Sequence, residues 1–66
     1  MSKLTDLNRK IEQTREDLAL SYHILEEVVE DKDELMVRTF NEVLIDLRAT
    51  YRTMLVRKER MLAQMN

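Results

Sequence analysis

A chain of 66 residues with no cysteine, glycine or proline and a formal charge of −2 has room for one small domain and excludes disulfides and thiolate metal sites. Sheets and compact loops lean on glycine and proline, so their absence points to long helices with little loop between them. No run of about 18 apolar residues is present, which excludes a membrane-spanning helix, and a charged fraction of 36 % beside ordinary apolar content fits a folded, charge-rich helical protein rather than a disordered one.

The net charge hides an asymmetry. Residues 1–34 hold five Lys/Arg against ten Asp/Glu, net −5, and residues 35–66 hold six against three, net +3. An acidic half and a basic half suit each other as packed neighbours, although exposed pairs contribute only about 0–1 kcal/mol each.

The opening Met1-Ser2-Lys3-Leu4-Thr5-Asp6 has no apolar stretch of the kind a secretion signal carries, so a cytoplasmic location is the expectation. Ser2 or Thr5 is placed to cap a first helix, with Asp6 favourable in its first turn. Leu4, Ile11, Leu18 and Leu25 then recur every seven residues, and Leu7, Thr14, Ser21 and Val28 follow at the second position of the same seam. The small polar Thr14 and Ser21 permit close approach of another helix. Tyr22 and Val29 widen the stripe on one side, Leu20 and Ile24 on the other.

The run Glu26 to Glu34 interrupts this pattern with six acids around Lys32. Asp31 with Glu34 three residues on resembles a capping box, and Asp33 is an alternative cap. Either reading predicts a tight turn near residues 30–33. One unbroken helix is the rival, since no Gly or Pro enforces a stop. Such a helix would run roughly 90 Å and live only in a coiled coil. The seam decides between them. Continuing the first phase would put Lys32 and Thr39 in the core row, whereas the apolar rows downstream are Val37, Leu44, Tyr51, Lys58 and Met65, with Phe40, Leu47, Met54 and Met61. A turn explains that slip.

The expected fold is therefore all-α: an antiparallel two-helix hairpin, with helices over residues 3–30 and 33–64, in a single domain. Val43, Leu55 and Leu62 flank the second seam, and Ile45 and Val56 lie farther round. Two helices cannot cover stripes this wide, so two hairpins are expected to pair into a four-helix bundle with their acidic turns at opposite ends. Its expected core is Leu7, Ile11, Leu18, Leu25, Val37, Phe40, Leu44, Leu47, Tyr51 and Met54. Leu20, Ile24, Val43 and Leu55, with Leu47 and Tyr51, are the candidate interface residues.

Chemistry is sparse. His23 shares a helical face with Glu26, Glu27 and Glu30 but points away from the seam, and the residue three before it is Leu20 rather than the Glu of carboxylate-bridged di-metal bundles, so no metal site is assigned. Ser21 and His23 are two residues apart and fall on different faces. No phosphate loop, catalytic triad or paired buried carboxylate is present, so no catalytic residue and no cofactor is expected. Met54 and Met61, two of five methionines, read as core filling. Arg48, Arg52, Arg57, Lys58 and Arg60 make the end of the second helix basic, and a hairpin brings Lys3, Arg9, Lys10 and Arg15 alongside. Of these, Arg48, Arg52, Arg57 and Arg60 are the candidate nucleic-acid contacts. Platforms for stacking bases are missing, because the seam takes Phe40 and Tyr51 of the three aromatic residues.

The segment Ile11-Glu12-Gln13-Thr14-Arg15-Glu16-Asp17-Leu18 resembles the Ile-x-x-x-Arg-x-x-Leu opening of the small helical-hairpin aspartyl-phosphate phosphatases that act on sporulation response regulators. Asn41-Glu42-Val43-Leu44-Ile45-Asp46-Leu47, followed by Tyr51, is similar to that family's second helix. The resemblance covers about two thirds of the chain and implies a helical hairpin that grips another protein. The family's Ser-x-x-x-Asp signature falls on Asn41 and Ile45, so its functional Asp has no counterpart and no catalytic residue carries over. The expected function is a non-enzymatic, protein-binding regulator or adaptor that self-associates through amphipathic helices. An RNA- or DNA-binding bundle using the basic open end is the alternative from another class, and a response-regulator phosphatase is the third.

Overall fold

The computed structural model describes residues 2–65 and consists of two long helices, α1 (Lys3–Glu30) and α2 (Glu34–Met65), packed against each other. Met1, the fifth methionine, lies outside the described residues. The molecule is a rod of 51 × 17 × 12 Å.

Local chemistry sets the helix ends. Ser2 is the N-cap of α1: its Oγ accepts the Thr5 N–H at 3.1 Å, and Asp6 sits in the first turn, near the positive end of the helix dipole. At the other end Asp31 closes α1, and Lys32 turns into the left-handed region at φ 58°. The Lys32 N–H reaches the Val29 carbonyl and the Asp33 N–H reaches the Val28 carbonyl, both at 3.1 Å. This double closure usually has glycine at the left-handed position. A lysine there costs about 1–2 kcal/mol of steric strain. Asp33 then starts α2: its Oδ1 accepts the Met36 N–H at 3.2 Å, and its carbonyl accepts the Val37 N–H at 2.9 Å. The expected capping box from Asp31 to Glu34 is thus corrected. Asp31 belongs to the end of α1, and the alternative cap, Asp33, is the one used. As a cap, Asp33 leaves α2 to begin at Glu34, one residue later than expected.

The heptad rows become the contact between the helices. With the turn at Lys32, antiparallel packing sets Leu4 level with Met61, Leu7 with Lys58, Ile11 with Met54 and Thr14 with Tyr51. Nearer the turn, Leu18 is level with Leu47, Ser21 with Leu44, Leu25 with Phe40 and Val28 with Val37. Among the described residues, every buried or half-buried side chain belongs to these rows, Ile24 excepted. Leu44, 1 % exposed, is the most enclosed residue and stands level with the buried Ser21, whose small side chain leaves room for it. Leu7, Ile11 and Met54 form the buried cluster, with Tyr51 and Met61 packed on it.

The other expected core residues, Leu18, Leu25, Val37, Phe40, Leu47 and Tyr51, are only half-buried. Two helices enclose a seam from one direction and leave its flanks open. The surface reflects this. The structure exposes 5483 Å² at 8.0 kDa, where a compact monomer of that mass exposes about 4,500 Å².

Candidate interaction surfaces

An antiparallel pair of helices has two broad faces and two outer edges. Residues just after the second seam row of each helix lie on one broad face, and residues just before the first row lie on the other.

The first broad face carries Asn8, Arg15, Tyr22 and Val29 from α1, and Asn41, Arg48, Leu55 and Leu62 from α2. Two contacts bridge the helices there. The Arg48 guanidinium lies over the Tyr22 ring, 5.9 Å from its centre, a cation–π arrangement. Arg15 Nη2 donates to the Tyr51 hydroxyl at 3.2 Å, while its Nη1 reaches Glu12 Oε2 at 3.4 Å. The hydrogen bond and electrostatic pull of Tyr51, then the charge of Glu12, raise the Arg15 pKa above its ordinary value.

The second broad face is divided along its length. In the open half, away from the turn, Lys3, Lys10 and Arg57 rim a groove of about 290 Å³ with Asp6 on its border. Leu7, Met54 and Met61 form its apolar floor. In the turn half the same rows carry Ile24, Met36 and Val43, the last two 36 % and 37 % exposed. Asp17 and Thr50 separate the halves, and the Gln13 amide donates to Asp17 Oδ1 at 3.2 Å.

The outer edge of α2 bears two further shallow grooves, one lined by Ile45, Arg48, Ala49, Arg52 and Thr53, the next by Arg52, Thr53, Val56, Arg57 and Arg60. The four arginines singled out as nucleic-acid contacts therefore line two adjoining grooves that wrap the outer edge of α2, from the first broad face at Arg48 to the divided face at Arg57. Among the described residues Arg52, Arg57 and Arg60 form no ion pair.

The six candidate interface residues do not share a surface. Ile24 and Val43 stand on the divided face, Leu55 on the opposite face, and Leu20, 59 % exposed, on the outer edge of α1. Leu47 and Tyr51 lie half-buried in the seam. His23 is exposed and its Nε2 lies 3.1 Å from Glu27 Oε1. No group of three or more His, Asp or Glu among the described residues is placed to hold a metal, and no helix is long and apolar enough to cross a membrane. Sequence reasoning missed Met36 and the apolar-floored cationic groove. Their signal was present as a seven-residue spacing of Lys3 and Lys10 on α1, and of Met36, Val43 and Arg57 on α2.

No family model, curated protein or solved structure matches this chain.

Proposed function

We propose that this chain is a small protein-binding regulator or adaptor that works as a self-associated helical hairpin, two copies forming a four-helix bundle. The observation that carries this reading is uncovered apolar surface. Leu20, Tyr22, Val29, Met36, Val43, Leu55 and Leu62 remain exposed. The surface exceeds that of a compact monomer by about 1,000 Å², comparable to the roughly 800 Å² that each partner contributes to a stable interface. A bundle removes much of that excess on one broad face and leaves the other for a different protein. Sedimentation equilibrium at tens of micromolar tests the association: twice the chain mass is expected, and a monomer would sink the reading.

A second reading, nucleic-acid binding, rests on Arg52, Arg57 and Arg60 lining one groove free of carboxylates. It calls for affinity that falls steeply with salt, by counterion release. For the phosphatase implied by the family resemblance, position 45 offers isoleucine where a carboxylate is required. Release of phosphate from an aspartyl-phosphate protein would be its test.

A further inference from the structure

We infer that the second copy seats on the divided broad face, with its turn-half patch of Ile24, Met36 and Val43 entering the groove between Lys3, Lys10 and Arg57. This inference rests on the self-association proposed above and names the surface responsible. When two hairpins stack with turns at opposite ends, α1 lies over the partner's α1 and α2 over the partner's α2, and levels reverse about the middle of the rod. Ile24 then falls at the level of the partner's Leu7, Val43 at that of the partner's Met54, and Met36 at that of the partner's Met61. Those three partner residues are the apolar floor of the groove. Apolar side chains thus meet an apolar floor at each level, and both grooves fill by the same two-fold operation.

The cations also find their complement. Lys3, Lys10 and Arg57 line the groove beside its apolar floor. Opposite them comes the partner's turn half, with Glu27 on that side of α1 and Glu26 and Glu30 along its outer edge, while Glu34 lies beside Val29 on the other face. Turns at the same end would place these cations on their own copies and acids on acids. Asp17 is the like charge brought near the two-fold axis, and its carboxylate is already engaged by Gln13. The first broad face fits the same operation poorly. There Tyr22 would meet the partner's Asn8, Leu55 the partner's Asn41, and Arg48 its own copy. That mismatch leaves Tyr22, Val29, Leu55 and Leu62 exposed in the dimer.

The chain has no cysteine, so engineered pairs report the face directly. Val43→Cys with Arg57→Cys marks the divided face, and Asn41→Cys with Leu55→Cys marks the other. Within each pair the two positions share one helix, on the order of 20 Å apart, so any disulfide joins two chains. All four positions are exposed, and circular dichroism confirms that each variant keeps its helices. The expected result is a covalent dimer under mild oxidation for Val43→Cys/Arg57→Cys, and none for Asn41→Cys/Leu55→Cys. A nitroxide at Lys32→Cys should place the two turns about 40 Å or more apart. Cross-linking through Asn41 and Leu55 alone, or turns within about 20 Å, would overturn the face or the orientation while self-association stands. A monomer in sedimentation would overturn both.

Discussion

In the open half of the hairpin Leu7, Ile11 and Met54 are buried, whereas in the turn half burial ends at Ser21 and Leu44, and beyond them Leu25, Val28, Val37 and Phe40 are only half-buried, although both halves follow the same heptad rule. The difference lies in what flanks the seam. Beside the open half stand Lys3, Lys10 and Arg57, long side chains whose aliphatic stems border Leu7, Met54 and Met61. Beside the turn half stand acids and exposed apolar side chains such as Met36 and Val43. Carboxylates hold their water and cover little, and Val28 level with Val37 fills less space than a Leu–Met layer. Heptad spacing therefore decides which residues face the partner helix, and the flanking residues decide how dry that contact becomes. The stretch beyond Leu44, next to the turn, is the least enclosed, and the half richer in exposed apolar side chains is the one that the proposed association would cover.

The largest expected effect tests where the packing is tightest. Leu44→Ala removes the most enclosed side chain and should cost about 2–5 kcal/mol, enough to unfold so small a domain. Val37→Ala, in the half-buried turn half, should cost about 1 kcal/mol. Urea denaturation followed by circular dichroism measures both, and equal losses would erase the contrast between the enclosed seam at Leu44 and its open end at Val37. Ser21→Leu comes next. Ser21 is buried level with Leu44, on the turn side of Asp17 and Thr50, so added bulk should force the helices apart and cost about 1–3 kcal/mol. A variant as stable as the parent would show that the helices do not approach closely there.

Lys58 is the one charge in the seam rows, half-buried and level with Leu7 in the better-packed half. Snorkelling lets it keep its ammonium in water while its stem packs. Lys58→Leu should raise stability by about 1 kcal/mol and broaden the distribution of oligomers, because a polar core position limits register and stoichiometry. A lower melting temperature would mean that the lysine is held by a partner group.

The seam was legible in the sequence because helical spacing alone fixes it, and the structure buries or half-buries Leu4, Leu7, Ile11, Thr14, Leu18, Ser21, Leu25 and Val28 as that spacing requires. The turn was legible through the slip in phase between the two seams. Its chemistry was less so. Asp31 and Asp33 offer the same side chain two residues apart, and only the path of the backbone tells which one caps α2. The gathering of Lys3, Lys10 and Arg57 at the open end was legible once the chain was read as a hairpin, but the shared apolar floor of Leu7, Met54 and Met61 was hidden because it joins residues far apart in sequence, at a level set by the turn. The candidate interface residues scattered over several surfaces for a related reason. Apolar flanks mark a wide stripe, but only the position of the second helix separates one flank from the other.

The smallest expected effect is the most discriminating, because its sign differs between the hairpin and its rival. Lys32 adopts φ 58°, a region that carries a steric cost of about 1–2 kcal/mol for a side chain with a Cβ. Lys32→Gly removes that cost and gives back about 0.4–1 kcal/mol through the greater freedom of the unfolded chain. The net expectation is a gain of about 0.5–1 kcal/mol, a rise of several degrees in melting temperature for a domain of this size. In one uninterrupted helix the same glycine would sit in the interior and cost about 1 kcal/mol relative to a good helix former. Thermal melting of Lys32→Gly beside Lys32→Ala separates the two. Glycine more stable than alanine places residue 32 in a left-handed turn that joins two helices. Alanine more stable than glycine would mean that the helix runs through, and that the open and turn halves are stretches of one long rod.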